Sequence, residues 1–107
     1  MKRRVAVTGM AGISPLGNDW LSVRARLGDY RNVVKRMDEW SDYDGLHTLL
    51  GAPAAAFPLS ERYTTKSMRS MGRVALMATR ASELALIDAG LTDDPLVESG
   101  HMGIAYG

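Results

Sequence analysis

The sequence predicts an α/β fold with parallel strands and one long, buried crossover helix, and three stretches carry that prediction. Residues 4–8 (RVAVT) form a short apolar, β-branched run closed by Gly9. Residues 65–91 (TKSMRSMGRVALMATRASELALIDAGL) hold the longest uninterrupted helical pattern. Residues 101–106 (HMGIAY) form a second short run before Gly107. Strand, helix, irregular insertion, long helix, strand is the order of a parallel α/β unit. Its last strand is expected beside its first through a right-handed crossover.

Within the long helical stretch, Met71, Val74, Ala75, Ala78, Ser82, Ala85 and Ala89 recur at steps of three and four, so they share one face. That face is built of small residues and suits close packing. The opposite face carries Arg69, Arg73 and Arg80, with Leu76, Leu84 and Ile87 among them. A helix apolar on most of its circumference is buried on more than one side. Gly90 is the expected stop, with Pro95 shortly beyond. Roughly 24 helical residues span about 36 Å, long for a chain of 107 residues, which suggests membership of something larger.

The first strand is apolar on both faces, as buried parallel strands are. Residues 10–17 (MAGISPLG) follow as a turn-rich loop at a strand's carboxyl end, where ligand sites of α/β proteins gather. Asn18 is the expected N-cap of a helix whose face holds Trp20, Val23 and Leu27 and which stops near Gly28. Periodicity weakens over residues 29–63. Trp40 and Tyr43 are the expected anchors of this segment. Residues 52–57 (APAAAF) read as a short edge strand, since Pro53 and Pro58 exclude a central one. Residues 92–98 read as a loop. The acidic cluster Asp38, Glu39, Asp42 and Asp44 fits a solvated face better than a metal site.

Composition narrows the function. Thirteen Lys and Arg balance 12 Asp and Glu, for a net charge of +1. That balance offers no pull toward nucleic acid or an anionic membrane. With no cysteine, these residues supply no disulfide, thiolate metal site or thiol nucleophile. His47 and His101 stand far apart in sequence, outside any metal-ligand spacing. No apolar run approaches the ~20 residues of a membrane helix. The basic start, Met1 to Arg4, resembles that of a signal peptide, but Thr8, Gly9 and Gly12 interrupt the apolar core such a peptide needs. A cytoplasmic protein is expected.

Two families share features with the glycine-rich loop. Residues 7–13 (VTGMAGI) resemble the phosphate-binding turn of short-chain dehydrogenases, where glycines let the backbone approach a pyrophosphate. The second glycine comes one residue early, Ser14-Pro15 stands where the helix should open, and no acidic second strand follows near residue 35. A dinucleotide-dependent oxidoreductase remains one alternative. Val5-Ala6-Val7-Thr8-Gly9-Met10 with Ile13-Ser14-Pro15-Leu16-Gly17-Asn18 more fully resembles the opening of β-ketoacyl-acyl-carrier-protein synthases. Arg69-Ser70-Met71-Gly72-Arg73, the alanine-rich helix to Asp88-Ala89-Gly90-Leu91, and Gly103-Ile104-Ala105-Tyr106-Gly107 continue the likeness in order. It covers nearly the whole chain and is weakest over residues 29–63.

The resemblance implies the N-terminal, incomplete part of a thiolase-like condensing-enzyme domain over residues 1–107, within a protein that is commonly a homodimer. It implies a decarboxylative Claisen condensation of acyl and malonyl thioesters held on acyl carrier protein, in fatty acid or polyketide synthesis, without a cofactor or metal. The family's cysteine nucleophile and two histidines belong to later parts of the sequence, so no catalytic residue is expected here. His47 and His101 do not match them. The family also binds its acidic carrier through basic residues near the start of the long helix. Lys66 and Arg69 match those positions by their distance from Met71, with Arg62 and Arg73 as neighbours. A relative that has lost its nucleophile and only pairs with an active subunit is a further alternative. The remaining methionines, and Trp20 and Trp40, read as packing residues.

Overall fold

A computed structural model describes residues 2–107. Met1, the first residue of the basic start, lies outside the described residues. The chain divides into two compact units, one of residues 2–12 with Pro58–Gly107 and the other of Ile13–Phe57.

The second unit opens with a tight turn in which Ser14 and Gly17 exchange backbone hydrogen bonds of 3.2 and 3.1 Å. Gly17 has φ +137°, a conformation that glycine tolerates and L-residues avoid. Helix α1, Trp20–Gly28, follows. Its N-cap is Asp19, one residue later than expected, because the Asp19 carboxylate accepts the Ser22 amide at 2.8 Å. Asn18 instead donates its side-chain amide to the Ala56 carbonyl at 2.7 Å. Trp20 is no anchor within this unit; it is 67% exposed.

The described ladder is also here. Strands β1, Lys35–Arg36, and β2, Leu50–Gly51, pair antiparallel. Met37 continues the contact through its amide to the Leu49 carbonyl at 2.7 Å and is buried, the single buried apolar residue among those described. Trp40 packs so closely over Gly51 that a β-carbon there would lie 2.7 Å from the ring. Trp40 thus anchors as expected, whereas Tyr43 is exposed. Residues 52–57 form no strand; pairing stops at Gly51, and the Ala55 amide reaches the Ser14 carbonyl alone. Pro53 lacks the N–H that would continue the ladder.

The first unit corrects the long helix. Helix α2, Thr65–Met68, is a single turn, and helix α3, Arg73–Ala89, is separate. The break falls at residues 69–72, where the Met71 amide turns back to Met68 at 2.9 Å and Gly72 takes an extended ψ of 175°. Glycine in a helix interior costs backbone entropy and exposes the backbone, so a glycine beside a strongly capped turn is where continuity fails. Gly90 stops α3 as expected, with φ +70° and its amide turned back to Leu86 and Ile87. Residues 92–98 are more ordered than a loop: Asp94 caps a 3₁₀ turn, Pro95–Glu98.

None of the residues of α3 is buried, so the helix is half-covered rather than enclosed. Its small face is where neighbours approach. Gly9 lies against Ala85 and Ala89, and Ile104 and Tyr106 border a hollow with Ala75 and Ala78. The hydroxyls of Thr79 and Ser82 donate to the carbonyls of Ala75 and Ala78 one turn back at 2.8 Å, which satisfies them without an outside partner. Residues 5–8 and 102–106, expected as adjacent parallel strands, carry no ladder hydrogen bonds. Val5, at 93% exposed, and Tyr106, at 78%, face solvent. A buried parallel strand needs hydrogen-bonded neighbours on its edges, and these segments have none among the described residues.

Candidate functional site: a basic turn ahead of helix α3

The turn that carries the basic residues is built by a capping box. Thr64 accepts the Ser67 amide at 3.1 Å, and the Ser67 hydroxyl accepts the Thr64 amide at 3.0 Å. Lys66 sits inside this turn, and Arg69 follows it with helical backbone angles. Residues three apart on a helical turn stand on neighbouring positions of its surface. Both side chains are exposed, and among the described residues neither pairs with a carboxylate. Arg73, the first residue of α3, is likewise exposed and unpaired among them. Residues 62–82 contain five Lys and Arg and no Asp or Glu. Two of the five, Arg62 and Arg80, pair with carboxylates outside that stretch, which leaves Lys66, Arg69 and Arg73.

The structure takes two expected cations out of that surface. Arg62 makes a two-pronged contact with Asp93, including Nη1 to Oδ1 at 2.9 Å. The Arg62 hydrogen bonds hold the Asp93 carboxyl below its ordinary range. Arg80, on the face of the helix opposite the small residues, has a side chain only 13% exposed. It donates from Nη1 to Glu83 Oε2 at 2.6 Å.

Glu83 is the residue that sequence reasoning missed. Its carboxylate also accepts the Ser60 hydroxyl at 2.8 Å across 23 positions of sequence. Burial pushes its pKa up, but hydrogen bonds from Arg80 and Ser60, and the adjacent Tyr63 hydroxyl, outweigh burial and leave it below the ordinary value. The Tyr63 contact falls short of regular hydrogen-bond geometry, since its hydroxyl has no partner by distance and angle. Burial first, and Glu83 second, push the Tyr63 phenol up. The three-residue spacing of Arg80 and Glu83 was a visible signal for part of this cluster; Ser60 gave none.

Between the turn, α3 and the 3₁₀ turn runs an open cleft of about 770 Å³, with Tyr63, Met71, Leu86 and Val97 on its walls. Two polar contacts border this cleft, from Ser60 to Glu83 on α3 and from Arg62 to Asp93 beyond its end.

The glycine-rich loop offers a poorer site. Helix α1 does not open on it; the helix begins at Trp20 behind the carboxylate of Asp19. Hydrogen bonds from the Ser22 amide and hydroxyl hold that carboxyl below its ordinary range. A negative charge therefore occupies the helix N-terminus that a pyrophosphate would need. His47 and His101 are both exposed. Among the described residues no three His, Asp or Glu are grouped to hold a metal.

The family model described as "Beta-ketoacyl synthase, N-terminal domain" matches residues 2–107. Nodulation protein E of Rhizobium meliloti (strain 1021) is 32% identical over 92 residues, which are 86% of this chain and 22% of that protein. Nodulation protein E of Rhizobium sp. (strain N33) is 31% identical over 94 residues, 88% of this chain and 23% of that protein. The crystal structure of a β-ketoacyl synthase from Burkholderia phymatum STM815 superposes with a TM-score of 0.88 at 46% identity, covering 99% of this chain and 26% of that one. The chain thus spans about a quarter of the length of these relatives.

Proposed function

The chain belongs to the β-ketoacyl synthase family through its N-terminal domain, and from that premise we propose that the complete protein is a condensing acyltransferase. It joins an acyl chain to a malonyl unit by decarboxylative Claisen condensation, with both carried as thioesters on acyl carrier protein, in fatty acid or polyketide synthesis. The observation that carries this reading is the match along residues 2–107, joined to 46% identity with a β-ketoacyl synthase of known structure.

In this reading the complete protein has a thiolase-like fold, forms a homodimer and works in the cytoplasm. Among the described residues no helix is long and apolar enough to cross a membrane. The chemistry belongs to residues outside this chain: a cysteine thiolate that takes the acyl group, and two histidines that support decarboxylation and stabilise the thioester oxyanion. The present residues contribute carrier recognition. Lys66 and Arg69, exposed and unpaired among the described residues, would steer an acidic carrier toward the enzyme.

The test compares two substrates in one variant of the complete enzyme, Lys66→Glu with Arg69→Glu. Turnover of carrier-bound thioesters should fall strongly, while turnover of small carrier-free thioesters persists. If both fall together, or neither falls, Lys66 and Arg69 are not docking residues. If the unaltered enzyme condenses neither substrate, the condensing reading fails and a non-catalytic partner subunit replaces it.

A further inference from the structure

We infer that Glu83 is a positioning residue for carrier docking: held in place by Arg80 on the same helix, it sets through Ser60 where Lys66 and Arg69 stand against α3. The inference rests on the docking reading above. Three observations carry it.

The first is the quality of the tie. Ser60 and Arg80 donate to opposite oxygens of the Glu83 carboxylate at 2.8 and 2.6 Å. The side chains of Arg80 and Glu83 are 13% and 18% exposed, whereas both partners of each other ion pair are more than half exposed. Shielded, charge-assisted hydrogen bonds are the strong ones, and exposed pairs contribute little. The Arg80–Glu83 pair lies within α3 and holds the carboxylate in place there, and the Ser60 hydroxyl is the bond that joins the basic segment to it.

The second is continuity from that tie to the basic residues. The Tyr63 amide closes a turn on the Ser60 carbonyl at 3.1 Å. The Thr64–Ser67 capping box begins at the next residue. The Met68 amide then reaches the Thr64 carbonyl at 3.0 Å, and Met71 reaches Met68 at 2.9 Å. From Ser60 to Met71 the chain is a relay of short hydrogen-bonded turns, so displacement at Ser60 is passed to Lys66 and Arg69 rather than absorbed in slack.

The third is the cleft. About 770 Å³ of open space lies beside Tyr63, Met71 and Leu86, crossed near its edge by the 4.0 Å contact of Met71 Sδ with the Thr79 hydroxyl of α3. Removing the polar tie leaves the segment room to move.

The test is a double-variant cycle in the complete enzyme, read by stopped-flow association with a purified acidic acyl carrier protein. Glu83→Gln should slow association roughly five-fold when Lys66 and Arg69 are present. In a Lys66→Ala, Arg69→Ala background the same change should have no further effect. Hydrogen exchange of the amides of residues 64–71 should quicken in Glu83→Gln. Ser60→Ala, which removes the bond to α3 but leaves the Arg80–Glu83 pair intact, should repeat the pattern and keeps the test readable should Glu83→Gln fold poorly. Equal slowing in both backgrounds, or unchanged exchange over residues 64–71, overturns the positioning role alone. If Lys66→Ala with Arg69→Ala leaves association unchanged, the docking reading falls and this inference falls with it.

Discussion

Gly9 rests on the backbone of Ala85 so closely that a β-carbon on Gly9 would lie 2.3 Å from the Ala85 carbonyl oxygen and 2.8 Å from the β-carbon of Ala89. The Met10 amide, next in the chain, donates to Asp88 at 3.0 Å. Small residues on one face of α3 thus let the segment after residue 8 reach the helix backbone and hydrogen-bond to its last turn. Gly9→Ala should destabilise the complete protein by about 1–3 kcal/mol, the usual cost of overpacking a tight contact. Gly12→Ala, with open space around it, should be close to neutral. Denaturant unfolding of both variants checks this; equal midpoints would show that the Gly9 contact is slack.

Helix α3 ends because Gly90 adopts φ +70°. An alanine there must enter the left-handed region with a β-carbon. Gly90→Ala should lower stability by about 1 kcal/mol, and Gly90→Asn by less, since asparagine tolerates that conformation better. The order of the two thermal midpoints is the decisive measurement, and the reverse order would contradict the conformational argument.

The Glu83 carboxyl titrates below its ordinary value of 4.5 in the folded chain. A depressed carboxyl contributes stability above its unfolded pKa, and that stability is lost as pH falls through the folded pKa. Wild type should therefore lose stability on acidification from the ordinary carboxylate range downward. Glu83→Gln should be less stable at neutral pH and show a shallower acid slope. Parallel stability–pH curves for the two proteins would remove Glu83 from the acid response.

If Lys66 and Arg69 dock an acidic carrier as proposed, association should weaken with added salt, because exposed charges are screened over about 10 Å at 0.1 M ionic strength. Lys66→Ala with Arg69→Ala should flatten that salt dependence while changing stability by no more than about 0.5 kcal/mol. Association rates measured over a salt series give the slope directly. An unchanged slope would place carrier steering elsewhere.

The 107 residues expressed alone should aggregate or remain molten. Val5, Val7, Ile104 and Tyr106 are exposed apolar residues, and a soluble monomer rarely leaves a large contiguous apolar area uncovered. Sedimentation and dye binding report both outcomes. A sharp, reversible, monomeric melting transition would refute the expectation.

Local grammar was legible in the sequence because it is encoded by neighbours. The stop at Gly90, the α1 span through Trp20, Val23 and Leu27, and the basic character of the stretch containing Lys66 and Arg69 all follow from residues a few positions apart. The ordered blocks around Val5–Asn18, Arg69–Arg73 and Gly103–Gly107 also pointed to the family. Tertiary structure decided whatever depends on distant partners. The helical period ran smoothly through residues 69–72, yet the capped turn at Thr64 and the extended backbone at Gly72 divide it. Arg62 read as a neighbour of the docking residues and Arg80 as part of the face opposite the small residues, but Asp93 lies 31 positions from Arg62, and the shielding of the Arg80–Glu83 pair depends on the surrounding fold. Glu83 meets Ser60 across 23 positions. A periodic pattern states which face of an element is apolar; it does not state which distant side chain will neutralise a charge, or whether a strand will find the neighbours that its backbone hydrogen bonds require.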